Sequence, residues 1–224
     1  MNTATDNIIN IILDGKTKEK SLNMLIKLEP NYLYSHMKEN NNDMEILLLA
    51  KMLHTDQVDK GGIDYMVHLM HSADIALKIK EEYCKNNNLE LDNSTLVKTL
   101  LLHDSLEDEK PRENAKKFGK TVDDLLIEYS VDDKVIESIE DMSRKEYEKY
   151  TTFIERIKNK DNPYSVIGKA ADIMSNKHPY RKEVANLKPS LEKRYEKALK
   201  TLGFNDINKE KSHRNNVGIQ PLIQ

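Results

Sequence analysis

Apolar residues recur at three- and four-residue spacing along nearly the whole chain, and no stretch alternates apolar with polar. That period matches the turn of an α-helix and not the pleat of a strand. The pattern runs through Ile8–Leu13, Leu22–Leu28, Ile46–Leu53, Tyr65–Ile79, Leu96–Leu106, Val122–Tyr129, Val135–Met142, Tyr150–Ile157 and Tyr164–Met174. There is no Asn-Gly hairpin and no internal repeat, so the expected fold class is all-α, a helical bundle of roughly ten helices at average length. Asp6, Asn93 or Ser94, Thr121, and Ser130 before Val131 are the expected caps. Gly15, Pro30, Gly119, Pro163, Pro179 and Gly203 are the expected stops.

Composition narrows the class. Of the 224 residues 33% are charged and 38% hydrophobic, so the helices should be amphipathic with heavily solvated faces. The net charge of −3 gives no global argument for nucleic acid or membrane binding. A lone cysteine, Cys84, excludes an intramolecular disulfide and a cysteine zinc cluster. The expectation is a cytoplasmic protein without a targeting leader or a membrane span. Residues 1–42 read as an N-terminal helical extension, 43–202 as the domain carrying the candidate site, and 203–224 as a polar tail with Lys209, Lys211, His213 and Arg214.

Within the leucine-rich segment Leu101-Leu102-His103-Asp104-Ser105-Leu106-Glu107-Asp108, four groups able to bind a metal or move a proton crowd into six residues. They are expensive to bury without a purpose. His68 upstream and Asp172 downstream complete an ordered set, H…HD…D. Two imidazoles and two carboxylates from three helices suit manganese, iron or zinc better than calcium or magnesium. Such an ion can stabilise charge on a phosphoryl oxygen and acidify water. If the segment stays helical, Glu107 and Asp108 lie one turn beyond His103 and Asp104 and share their face. From there they could orient an attacking water or pass a proton to a leaving group. Taken singly, each residue has a plainer explanation, since core histidines and carboxylate caps are common. His71, close to His68, is expected to be a packing residue. Lys110 and Arg112 are expected to be solvated charges, and Met66, Met70, Met142 and Met174 core residues.

Three segments together resemble a known family. His54-Thr55-Asp56-Gln57-Val58-Asp59-Lys60-Gly61-Gly62-Ile63-Asp64-Tyr65-Met66-Val67-His68 resembles the H-x-G-Q-x-R-K-x-G-x-P-Y-x-x-H opening of HD-domain phosphohydrolases, in particular the RelA/SpoT-type alarmone hydrolases and their small stand-alone relatives. Leu101–Asp108 resembles their L-L-H-D-x-x-E-D, and Lys169-Ala170-Ala171-Asp172-Ile173-Met174-Ser175-Asn176 their K-L-A-D-R-x-x-N. The resemblance covers about residues 50–180 with the motifs in family order. It implies an HD-domain helical bundle whose His68, His103, Asp104 and Asp172 bind manganese and whose Glu107 and Asp108 handle the nucleophilic water. It also implies that Lys60, Tyr65, Lys169 and Asn176 surround a small nucleotide substrate. The implied reaction is removal of the 3′-pyrophosphate of (p)ppGpp. His54 aligns with a family position and would support the site. The rivals are an HD hydrolase of another nucleotide, either a dNTP triphosphohydrolase or a nucleoside monophosphatase, and a non-catalytic HD module. The sequence departs from the alarmone pattern on the substrate side: Asp59 and Ile173 replace arginines, and Asp64 replaces the proline before Tyr65.

Overall fold

The computed structural model describes residues 9, 12, 13, 15–179 and 188–204. Among them the chain is all-α, and the closest approach to sheet is a single antiparallel bridge between Val58 and Asp64. The helices, numbered in order, are α1 (Lys18–Leu28), α2 (Asn31–Glu39), α3 (Asp43–Leu53), α4 (Tyr65–Asn87), α5 (Asn93–Leu102), α6 (Glu109–Lys117), α7 (Val122–Glu128), α8 (Asp133–Met142), α9 (Tyr150–Asn159), α10 (Pro163–Lys177) and α11 (Pro189–Leu202). No helix among the described residues is long and apolar enough to cross a membrane. The expected cap Asp6 and the basic tail residues lie outside the described residues, as does most of Ile8–Leu13.

The long helix α4 is the axis of the bundle, packing most extensively against α10 and α5. Its buried side carries Met66, Val67, Leu69, Met70, Ala73, Ala76 and Leu77. Asp64 starts it: the carboxylate accepts from Met66 N at 3.0 Å, while Lys51 Nζ donates to its other oxygen at 3.2 Å. The aspartate that replaces a proline is therefore a helix cap with a buried lysine partner. α10 and α8 approach closely at the end of α8, where a Cβ on Gly168 would come within 2.6 Å of Met142 Sδ.

Several local expectations need correction. α5 is capped by Asp92, whose carboxylate accepts from Thr95 N at 2.6 Å, and not by Asn93 or Ser94. Ser130 adopts φ +50° and closes the turn after α7, so α8 begins after Asp132. Pro163 is no stop: it is the first residue of α10, where its missing N–H costs nothing. Thr121 caps α7 as expected, in a reciprocal capping box with Asp124. The apolar run Leu96–Leu106 also outlasts its helix, since α5 ends at Leu102 and residues 103–107 form turns. Asp108 then caps α6 in extended conformation, which breaks the helical path.

The first helices are fastened onto the bundle by buried polar contacts. Asp74 of α4 accepts from Leu33 N at 3.0 Å, satisfying the start of α2 from another helix. His36 Nε2 lies 2.6 Å from Asp43 Oδ2, and Ser94 Oγ donates to Asp43 Oδ1 at 2.6 Å. Burial opposes ionisation of Asp43, yet His36, Ser94 and Lys98 together hold its carboxyl below the ordinary 3.8. The stability it contributes is therefore present above that value and is lost as the pH falls below it. Asp43→Ala is expected to cost about 3–5 kcal/mol in urea unfolding at pH 7, the scale for leaving buried partners uncompensated.

Candidate metal centre

Three elements bring the H…HD…D set together. His68 projects from the first turns of α4, His103 and Asp104 follow the last residue of α5, and Asp172 stands in the middle of α10. The ligand atoms of His68, His103 and Asp104 all lie within 4.8 Å of one another. Nε2 of His68 is 3.6 Å from Asp104 Oδ2 and 3.3 Å from Asp172 Oδ1. Nε2 of His103 is 3.0 Å from Asp104 Oδ2 and 3.8 Å from Asp172 Oδ1. Both imidazoles thus turn the same nitrogen toward the same pair of carboxylates.

The chemistry of the donors tests whether a cation fits. His103 Nδ1 lies 2.8 Å from the carbonyl of Leu100, which can only accept, so the ring proton sits on Nδ1. In the neutral ring Nε2 is then a bare lone pair, and that atom is buried and without a hydrogen-bond partner. Asp104 Oδ2 is close to it but off the line of a hydrogen bond. A lone pair facing two carboxylates is repulsive unless a positive charge lies between them. Without a cation, a second proton on the ring supplies that charge. Burial alone would push His103 down, yet Asp104 and Asp172 carry it up to about 10. Burial likewise opposes ionisation of the two aspartates, but His103 holds Asp104 well below the usual carboxylate range, and Lys169 with the imidazoles does so for Asp172. The pocket is built around a positive charge, and its two imidazoles and two carboxylates are a donor set suited to a divalent transition ion.

The residues expected around the substrate largely hold these carboxylates. Tyr65 OH donates to Asp104 Oδ2 at 2.8 Å. Lys169 Nζ, buried, pairs with Asp172 Oδ2 at 2.8 Å, and Asn176 Nδ2 donates to Asp172 Oδ1 at 2.7 Å. Lys169, Asp172 and Asn176 share one face of α10 by their spacing. Lys60 instead stays exposed on the loop between α3 and α4. Asp59 in that loop accepts from Gly61 N at 2.8 Å and Ile63 N at 3.0 Å, so its carboxylate closes the turn. The loop is also tied to the N-terminal helices, with Lys20 Nζ donating to Gly61 O and Asp64 N to Ser21 Oγ at 2.9 Å.

Glu107 and Asp108 part company once the helix ends. Glu107 is exposed and accepts from Arg144 N at 3.2 Å, away from the face it was expected to share with His103. Asp108 turns back toward the cluster, and burial and the nearby Asp104 push its carboxyl up. Gln57 Nε2 donates to Asp108 Oδ2 at 2.6 Å, while the other end of that amide meets His54 Nδ1 at 2.8 Å. His54 is fully buried, is pushed down to about 4 by burial, and stacks on Tyr65 with ring centroids 5.3 Å apart. Gln57 was not singled out from the sequence, although it stands at a motif position. Ser175, also overlooked, lies between His68 and His71.

Other candidates settle into plainer positions. Arg112 Nη1 donates to the carbonyls of Leu106 and Glu107, bracing the turn. Lys110 pairs with Glu113 at the surface. A recess of about 720 Å³ lies by Tyr32, His36, Lys80 and Asn93 and does not include the cluster. Donor chemistry and not volume marks the candidate centre. No family model, no curated protein and no solved structure matches the chain.

Proposed function

We propose that the chain is a metal-dependent phosphohydrolase of a small phosphorylated nucleotide, with (p)ppGpp as the leading substrate and loss of its 3′-pyrophosphate as the reaction. The observation that carries the metal-dependent part is the buried, partnerless Nε2 of His103 facing two carboxylates beside His68. The choice of reaction rests on the resemblance of three motifs, in order, to the HD-domain alarmone hydrolases. One local detail supports it. Asp56 adopts φ +60°, a left-handed conformation that glycine takes freely and aspartate tolerates, where the resembling motif has glycine.

Manganese, or iron or zinc, would be held by His68, His103, Asp104 and Asp172. Bound there, such an ion supplies charge to a phosphoryl oxygen and acidity to water. The remaining work falls to the chain. Tyr65, Lys169 and Asn176 fix the carboxylates, so the donor set is assembled in advance. In the hydrolysis a water oxygen bonds to the phosphorus on the ribose 3′ oxygen, and the bond from that phosphorus to the 3′ oxygen breaks. Pyrophosphate departs and the 3′ oxygen gains a proton. Asp108, whose carboxyl is raised by burial and Asp104 and is oriented by Gln57, would take the water's proton and return it. Lys60, exposed on its loop, is the cation available to the departing phosphates.

Pyrophosphate release should be measured with (p)ppGpp, a set of dNTPs and nucleoside monophosphates, with and without added manganese. The expected result is manganese-dependent release of pyrophosphate from (p)ppGpp. Turnover of another nucleotide alone would retain the mechanism and replace the substrate. Asp59 makes that comparison informative, because its carboxylate closes a turn where an arginine would meet the ligand.

A further inference from the structure

Ser175 is fully buried on α10, three residues beyond Asp172. Its Oγ lies 3.1 Å from Nδ1 of His68 and 3.0 Å from Nδ1 of His71. Ser72 Oγ is a more distant neighbour of His68 Nδ1, at 3.4 Å. A serine hydroxyl has one proton, so between two imidazole nitrogens it donates to one and accepts from the other.

The direction follows from the cluster. His68 can offer Nε2 to a cation only as a lone pair, and a neutral ring then carries its proton on Nδ1. His68 Nδ1 must therefore donate to Ser175 Oγ. The serine proton is left for Nδ1 of His71, which has to be bare. The opposite direction would leave a proton on Nε2 of His68, where it faces the carboxylates and keeps a cation out. We propose that Ser175 and His71 form a hydrogen-bond relay that fixes the tautomer of His68 and so presets the cluster for a divalent cation. Both are positioning residues. They do not touch the ion, but they decide which nitrogen is offered to it.

The relay explains an arrangement that packing alone does not. His71 is buried on α4, and the contacts of its ring include the Ser175 hydroxyl and the imidazole of His178. Its ring meets the edge of His178 with centroids 4.9 Å apart, which holds the imidazole plane steady. The hydroxyl comes from a different helix, so the relay also ties α4 to α10 at the level of the site.

This inference rests on reading the cluster as a metal site but not on the substrate assigned to it. It is tested by titration calorimetry of full-length, metal-free protein with Mn²⁺, paired with thermal unfolding of the same samples. Ser175→Ala is expected to weaken Mn²⁺ binding by roughly 10–100-fold, the range for groups that orient a ligand, without a matching loss of thermal stability. His71→Phe keeps the ring but removes the acceptor and should weaken binding similarly. His71→Asn places an amide oxygen near the position of Nδ1 and should restore most of it. In the diamagnetic zinc-loaded protein, imidazole ¹⁵N shifts should show His68 protonated at Nδ1 and His71 bare there. Wild-type affinity in Ser175→Ala, or a protonated His71 Nδ1 with zinc bound, would overturn the relay. Equal losses in His71→Phe and His71→Asn that track unfolding would also overturn it, in favour of a purely structural role. Wild-type protein that takes up no divalent cation would overturn the metal site and the relay together. Cation binding without hydrolysis of any nucleotide would sink the reaction alone, and a weakened Ser175→Ala would still support the relay.

Discussion

Asp104→Ala is expected to abolish both cation uptake and hydrolysis, the largest effect of any single change in the protein. Asp104 Oδ2 stands within 3.6 Å of both imidazole nitrogens, so its removal takes away the group that both histidines share. Even groups one bond removed from an ion carry 10–100-fold in affinity, and a direct ligand should exceed roughly a hundredfold. The consequences extend to protonation. Asp104 is the first of the charges that raise His103 against burial, so the variant histidine should fall back toward neutrality. Tyr65 OH loses its acceptor, at a cost of about 1–3 kcal/mol if the hydroxyl stays buried. Metal content after dialysis against manganese, measured by elemental analysis, checks the claim. Asp104→Asn separates charge from shape, and retention of metal in that variant would show that the carboxylate charge is not what holds the ion.

Asp108→Asn should retain the ion and lose turnover by roughly 10²–10⁴-fold, the range for a general acid–base group. Asparagine keeps an oxygen for the Gln57 amide, so the loop should hold its shape. Only the proton-carrying function disappears. The pH–rate profile should lose the limb that belongs to this carboxyl. Glu107→Ala is the informative partner. An unbroken helix would make Glu107 the better placed of the two, with a loss of at least roughly a hundredfold. In the fold it is exposed and bonded to Arg144 N, so its removal should cost less than that of Asp108. The reverse order, at equal metal content, would hand the proton-carrying role back to Glu107.

The difference between those two carboxylates shows where sequence reading stops. Periodicity located α1, α3, α4, α5, α7, α8, α9 and α10, because each has an apolar stripe. It missed α6, whose EKPRENAKK sequence buries only Pro111, Asn114 and Ala115. It also missed α2 and α11, which rest on few buried residues. Leu100, Leu101, Leu102 and Leu106 keep a helical rhythm across the point where α5 ends, so nothing apolar announces the break. The decisive signals were Asp108 as a cap and Pro111 in the first turn of α6, and both read equally well as parts of the motif. His68, His103, Asp104 and Asp172 were legible because few buried sites tolerate such residues. Two of their supports, Ser175 and Gln57, were not. Ser175 resembles any small helical residue until the fold sets His68 and His71 on either side of it. Gln57 gains meaning only when Asp108 arrives from 51 residues away.

The cluster draws its parts from widely separated stretches of chain, and this governs when in the life of the molecule it can exist. His68 is made early, His103 and Asp104 some way later, and Asp172 with Ser175 and Asn176 only near the last quarter of the 224 residues. A growing chain can form α4 and α5 well before α10 appears, but it then holds two imidazoles and one carboxylate without the second. An ion held as proposed would thus be a ligand of the finished fold and not of its fragments. By mass action it would lower the free energy of the complete structure alone, by about 2.7 kcal/mol at a hundred times the dissociation constant. Manganese supply should therefore set how long the folded protein survives as well as whether it works.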